Sequence, residues 1–559
     1  MLLLSVVLVL VAAVTVTTIA LKGGGADPAA AKSAACQGAP TVALNVSVAP
    51  EIAPAVKQVS DDWQKAGAKA DGKCVQVKLT PADPRLVEQQ LATSGAGAAM
   101  WIPDASIWAQ QLSSTTASET GSTIKVTIDP SLASSPLVVV ASPTEASSLA
   151  AHAPSWATLF AGTLNVPDPL ASAAGALTVL TSDTLSSGDT SQANTALVAT
   201  MAKLSHEMLA KPTAGFDQLA ATSDSKELFT ASEQAVIAQN KAKGNTFAVA
   251  VYPTDGSLSL DYPVVRLSHP KDDPALAAAA GAFEQQLRTT AAQQAYGALG
   301  FRSADGEPPA GVGAAQGVIP GGGTPLKMPT PDRTLDAIRL WQATVEDTNI
   351  LVVLDVSGSM SEPAGNGKTK IQVASEAALA ARSFIPDTSK LGLWVFSSNQ
   401  TATTPWAQLV APGLMSDKVG SVNRREAILQ AITALPGRVH GETALYDTTR
   451  AAWEAARADY DPERANSIVL MTDGQNEYNN SIGLSDLLDT LKSEYDPNKP
   501  IQITTIGIGD QADKNALQQI SDATHGTSYV VTNPDDIRGV FLDVLLHRPC
   551  SVNCPTTSP

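Results

Sequence analysis

The chain has 559 residues, too many for one hydrophobic core, so two to four domains are expected. Its 44% apolar content excludes a disordered protein. With 54 acidic against 37 basic side chains, the net charge is −17, and no basic stripe offsets it, so nucleic acid is not expected among the partners.

Residues 1–21, from Met1 to Leu21, are uncharged and mostly apolar, and Lys22 follows. Such a run is long enough to cross a bilayer as a helix. It is read as a transmembrane or signal-anchor segment, with the rest of the chain on the extracytoplasmic side of the cell membrane. A cleaved secretory signal followed by Ala29-Ala30-Ala31 is the alternative, and the protein would then be secreted. Lipid attachment at Cys36 fits less well, because the apolar run ends too early. Residues 22–40 form a small-residue spacer.

An even cysteine count in an exported chain suggests disulfides. Cys36 and Cys74 each precede a predicted strand, and neighbouring parallel strands would bring them together. Cys550 and Cys554 lie in a Pro-containing tail, residues 547–559, and would close a small ring. Free thiols are the alternative. No histidines partner these cysteines, so zinc is not suggested.

Residues 41–303 alternate between strand and helix patterns. Val42, Leu44, Val46 and Val48 alternate as in a half-buried strand; Ile52, Val56, Val59 and Trp63 recur at helical spacing; Val75, Val77 and Leu79 alternate again. Apolar runs at 137–141 and 247–251 fit central strands. The second leads into the turn signal Tyr252-Pro253-Thr254-Asp255-Gly256. A helix-like run over 283–298 ends the region. The opening strand–helix–strand, Trp101-Ile102-Pro103-Asp104 before Trp108, and Tyr252-Pro253 through Asp261-Tyr262-Pro263 resemble the extracellular solute-binding proteins of the periplasmic type. The resemblance implies two α/β lobes with a cleft for a small solute. A fold of this kind that has lost its solute and acts as a spacer is the competing reading.

Residues 304–333 are dense in Gly and Pro and read as an interdomain linker. Leu335, Ile338, Trp341 and Val345 then give a short amphipathic helix opening the last domain, residues 334–546. The apolar run Ile350-Leu351-Val352-Val353-Leu354 follows, ending in Asp355-Val356-Ser357-Gly358-Ser359-Met360. A buried strand thus carries one carboxylate and two hydroxyls at every second position of its carboxyl end. These are hard oxygen ligands suited to Mg²⁺. Further strands are predicted over 390–396, 466–471 and 501–508, and helices after Lys370, over 427–435 and over 446–458. The alternation gives a doubly wound, Rossmann-like parallel sheet. Thr443 falls in a loop, and Asp473 ends the strand over 466–471.

The Asp-x-Ser-x-Ser run with the distant Thr443 and Asp473 resembles the von Willebrand factor type A (VWA) family and its metal-ion-dependent adhesion site. The resemblance implies an α/β chain: a periplasmic-binding-protein-like domain followed by a VWA domain. It implies that Ser357, Ser359 and Thr443 ligate Mg²⁺ (or Mn²⁺ or Ca²⁺), while Asp355 and Asp473 act directly or through water. A Glu or Asp of an unknown protein partner would complete the coordination. Glu362, Glu442 and Asp510 are read as loop or turn residues, and His440 as a loop residue rather than a base. No nucleophile elbow, Walker loop or His-Glu-x-x-His occurs, so the chain is not read as an enzyme. The expected function is a membrane-tethered adhesion or scaffold protein, with a solute receptor using the VWA domain as a relay as the alternative. Acid should weaken metal binding down to about pH 4, near the reference carboxylate values.

Overall fold

The computed structural model describes residues 36, 39–94, 98–118, 124–186, 190–269, 272–365, 367–382, 385–531 and 540. The apolar segment 1–21 and the pair Cys550 and Cys554 lie outside the described residues. Among the described residues, no helix is long and apolar enough to cross a membrane.

The first half of the chain contains two sheets. The first runs in the order Lys69–Ala70, Lys73–Pro81, Thr41–Val48, Met100–Ile102, Pro263–Ser268, Lys125–Ser131. Thr41–Val48 buries alternate residues against the helix Ala53–Lys65, as its period-2 pattern requires. The second sheet is built around Ala133–Ala141, which pairs antiparallel with Phe229–Ser232, Val249–Val251, Ser259–Leu260 and Arg302–Ser303. Two connections join the sheets. Lys125–Ser131 continues through Leu132 into Ala133–Ala141, and Ser259–Leu260 continues through Asp261 and Tyr262 into Pro263–Ser268. The Leu132 amide donates to the Tyr262 carbonyl at 3.0 Å, which ties the two connections together. Tyr262 is fully buried with φ +40°, a strained value for an aromatic residue. Its ring packs edge-on against Phe301 at 4.9 Å. A disulfide joins Cys36 to Cys74, the residue of Lys73–Pro81 that pairs with Thr41.

The expected single helix over 283–298 is two helices, Pro274–Leu287 and Thr290–Ala298. The break comes at Thr289, whose hydroxyl accepts from the Ala292 amide as an N-cap.

The Gly/Pro-rich stretch is stitched onto the second sheet. Gly317 accepts from the Ala250 amide at 2.8 Å, and Leu326 donates to Ser257 at 2.9 Å. Asn240 holds the Ala248 and Gln316 carbonyls, and Arg302, itself paired with buried Glu233, reaches the Gly322 carbonyl at 3.0 Å.

The helix Pro331–Val345 also differs from the expectation that it opens the last domain. It packs against the helices Ala173–Leu185 and Thr190–Ser205, on the side of the second sheet, and against Ser106–Ser118, on the side of the first. Trp341 is wholly buried among Val166, Val179, Leu197, Met201 and Leu204, and Arg333 pairs with Asp183 at 2.7 Å. Helical spacing located the apolar face correctly; the spacing carries no information about which neighbour covers it.

The last domain is a six-stranded sheet in the order Trp406–Val410, Lys390–Phe396, Thr348–Asp355, Ala465–Thr472, Ile501–Ile508, Ser528–Val531. All neighbours run parallel except the edge strand Trp406–Val410, which is antiparallel and was not foreseen. The sheet is covered on both faces, which explains the near-continuous apolar runs. Ile350 and Leu354 face the helices Lys370–Arg382 and Arg424–Thr433, while Leu351 and Val353 face Leu445–Ala458, Leu484–Glu494 and Lys514–Asp522. From Thr348–Asp355 the chain first adds Lys390–Phe396 on one side, then returns to add Ala465–Thr472 on the other. The strand order therefore reverses between Thr348–Asp355 and Ala465–Thr472, and crevices at such reversals are where open α/β sheets bind ligands.

Candidate metal centre

Asp355 ends the central strand and Asp473 directly follows its neighbour, so both carboxylates emerge at the reversal point. Both are fully buried, as is Thr443, and Ser357 is 1% exposed. The loop after Asp355 is fixed by its own backbone. The Ser357 amide donates to Asp355 Oδ1 at 2.7 Å, and the Gly358 amide donates to the Gly441 carbonyl at 2.8 Å. That second bond, with the His440 amide on the Val356 carbonyl at 2.8 Å, clamps the Thr443 loop over the first. Gly441 makes the approach possible: its φ is +81°, and a Cβ there would lie 2.6 Å from Ser398 Oγ.

The five residues named from sequence come together. Ser357 Oγ and Ser359 Oγ are 3.1 Å apart, and Ser359 Oγ donates to Asp473 Oδ1 at 2.9 Å. Thr443 Oγ1 is buried and has no hydrogen-bond partner among the described residues. Gly474 leaves the space beside it open, since a Cβ there would come 3.1 Å from Thr443 Oγ1. Three hydroxyls and two carboxylates form a hard-oxygen donor set, with no cluster of three or more His, Cys, Asp or Glu among the described residues. An orphaned buried hydroxyl, in a site that also holds two buried carboxylates, fits a small divalent cation. Burial raises the Asp355 carboxyl to about 7; hydrogen bonds from Ser357 and Thr472 oppose the rise, and the Asp473 charge adds to it.

Two participants carried no signal in the sequence. Thr472 Oγ1 donates to Asp355 Oδ2 at 2.5 Å. Lys370, whose side chain is 7% exposed, places Nζ 2.8 Å from Asp473 Oδ2 and 2.8 Å from Glu362 Oε2. Burial lowers the Lys370 pKa, but hydrogen bonds to Asp473 and Glu362 outweigh it and the net shift is upward. Glu362, expected to be a solvated loop acid, is thus an ion-pair partner, although its side chain stays 57% exposed. Lys368 and Lys370 look alike in the sequence, and only the fold turns one outward to Glu376 and the other inward. Glu442 and His440 are exposed, and Asp510 is an exposed residue 3.9 Å from Lys514.

In the first half, three acids follow the carboxyl ends of adjacent parallel strands: Glu51, Asp83 and Asp104. Tyr262 donates to Glu51 at 2.9 Å, Trp108 Nε1 donates to Asp104 at 2.7 Å, and the Ser106 amide donates to Asp261 at 2.7 Å. Burial pushes Asp104 well above the usual carboxylate range, with the Glu51 charge adding to it, and burial likewise raises Glu51 and Asp261. Of the sequence motifs, Trp101 to Trp108 and Asp261 to Pro263 meet here, while Tyr252 lies on the second sheet, bonded to Glu233.

Residues 349–542 match the von Willebrand factor type A domain, and residues 44–302 match the bacterial extracellular solute-binding proteins. This chain joins a solute-binding domain to a VWA domain. The solute-binding domain belongs to an extracellular class, which points to the extracytoplasmic side, and both families are typically non-enzymatic. An uncharacterized protein of Mycobacterium tuberculosis, in strains CDC 1551 and H37Rv, is 24% identical over 534 residues, covering 87% of this chain and 74% of the relative. A von Willebrand factor type A structure from Catenulispora acidiphila is 22% identical over 36% of this chain, with a TM-score of 0.27; the chain spans 42% of that protein's length. A periplasmic thiamin binding protein is 13% identical over 54% of this chain and 94% of its own, with a TM-score of 0.38.

Proposed function

We propose that the VWA domain binds a divalent cation, Mg²⁺ or alternatively Mn²⁺ or Ca²⁺, and uses it to recognise an acidic residue of a protein partner. The chain would act as an exported adhesion or scaffold protein, tethered to the membrane through the uncharged apolar segment 1–21. The observation that carries this reading is the convergence of Asp355, Ser357, Ser359, Thr443 and Asp473 at the strand reversal, with Thr443 Oγ1 buried and without a hydrogen-bond partner among the described residues. Ser357, Ser359 and Thr443 would hold the cation through neutral oxygens, and Asp355 and Asp473 would supply the compensating charge. When bound, the cation supplies a positive charge able to accept an outside carboxylate oxygen. Ser359 positions Asp473 through its hydrogen bond, and Thr472 orients Asp355.

Calorimetric titration of Mg²⁺ and Mn²⁺ into the full chain and its Ser357→Ala variant tests the cation. Capture of envelope proteins with and without chelator tests the partner. Binding by the wild type, lost in Ser357→Ala, with capture abolished by chelator, is the expected result. A wild type that binds neither ion, or capture unchanged in chelator, overturns the reading.

A second reading, a solute receptor that relays through the VWA domain, is favoured by one observation. The helix Pro331–Val345 touches helices of both halves of the solute-binding domain and leads into the strand that ends at Asp355. Native mass spectrometry that finds a solute on the chain would support it.

A further inference from the structure

We propose that Lys370 is a built-in counter-cation, which lowers the affinity of the VWA site for its divalent ion and leaves the loaded site with surplus positive charge for an anionic partner. This inference rests on the cation reading above.

The placement of Lys370 runs against local preference. It opens the helix Lys370–Arg382, where the helix dipole disfavours a cation. Its side chain is nevertheless buried rather than extended into water, the usual lysine choice. The Lys370 amide donates to the Glu362 carbonyl at 3.0 Å, which fixes where the side chain starts. Gly509 lies over the stem, so that a Cβ there would meet Lys370 Cε at 3.7 Å. The ammonium is thus aimed at Asp473, which is fully buried, and takes its Oδ2 while Ser359 takes its Oδ1. A buried lysine of this kind persists only where a carboxylate compensates it.

The electrostatic consequence follows by counting. With both carboxylates ionised, as metal binding requires, Asp355 and Asp473 contribute two negative charges and Lys370 one positive, a sum of −1. A divalent ion brings that sum to +1. Without the lysine the same ion would meet −2 and be neutralised to zero. Glu362 is more than half exposed, so water screens its contribution. The lysine therefore works in two directions. It repels the incoming ion, which sees a weaker field, and it denies the loaded site electroneutrality, which strengthens its attraction for an outside carboxylate. A residue that only oriented Asp473 would do the reverse for metal: its removal would loosen the ion.

The test compares the full chain with Lys370→Gln, Lys370→Met and Lys370→Arg by Mn²⁺ calorimetry, with thermal melting to confirm folding. Gln keeps a hydrogen-bond donor toward Asp473 and is the variant to use should Met not fold. Gln and Met should bind Mn²⁺ about tenfold more tightly or better, because a unit charge a few ångströms away acts strongly in a protein environment. Arg should stay near wild type. Acetate, titrated into the Mn²⁺-loaded protein, should bind several-fold more weakly to Gln than to wild type. Equal or weaker Mn²⁺ binding by Lys370→Gln overturns the role of Lys370, whereas a wild type that binds no Mn²⁺ overturns the cation reading itself.

Discussion

Acidification should release the cation from the VWA site well above the pH at which ordinary carboxylates protonate. Asp355 is fully buried, and burial holds its pKa at about 7, against an ordinary value of 3.8. A proton and a divalent ion compete for the same carboxylate. At pH 8 the carboxylate is mostly bare; at pH 5.5, one and a half units below 7, the apparent affinity should fall about 30-fold, or ~2 kcal/mol. The sign for the metal-free protein is the opposite of the usual acid case. A folded-state value above the unfolded one means that protonated Asp355 favours folding. That contribution is complete below about pH 3.8 and is lost as pH rises through about 7. Chelator should therefore lower the melting temperature more at pH 8 than at pH 5.5. Mn²⁺ calorimetry in two buffers of different ionisation heat measures both the affinity and the protons released, which should approach one per ion near pH 6 and vanish near pH 8.5. An affinity that is flat from pH 8 to 5.5 would refute the argument. Reference carboxylate values alone extend the expected loss from neutral down to about pH 4; burial of Asp355 moves it upward.

Two substitutions separate the site from the scaffold. Gly441→Ala forces a side chain into a left-handed position, 2.6 Å from Ser398 Oγ and 2.8 Å from the Ser398 carbonyl, so the loop bearing Thr443 must move. Mn²⁺ affinity should drop about tenfold or more while the circular dichroism spectrum is kept. Trp341→Ala should cost ~3–5 kcal/mol in denaturant unfolding of the first half, as expected for emptying a fully buried site, and should leave Mn²⁺ affinity unchanged. A loss of metal binding in Trp341→Ala would mean that the two substitutions do not probe separate units.

What the sequence made legible was local. The unbroken run from Ile350 to Leu354 announced a strand buried on both faces, and oxygen-bearing residues at its end announced where chemistry would gather. What stayed hidden was relational. Thr472 and Asp355 are far apart in the chain, and only the register of adjacent strands puts the hydroxyl against the carboxylate. Lys370 ends a polar stretch of sequence in which nothing distinguishes it from Lys368. The helix around Trp341 shows its apolar face plainly, yet proximity in sequence suggested the wrong neighbour for it. The break at Thr289 was missed because apolar periodicity continues across a hydroxyl that caps.

The grip on the helix Pro331–Val345 changes how the two modules relate. The two strands that join the sheets are where one lobe would swing against the other, and here one rod is packed between helices from each lobe. Any swing either carries that rod as cargo or prises it loose, and only residues 346 and 347 separate it from the strand on which the oxygen nest is built. The Gly/Pro-rich segment before the rod is bonded to the second sheet at Gly317, Gly322 and Leu326, so it would take up little of such a swing and the rod would feel the rest.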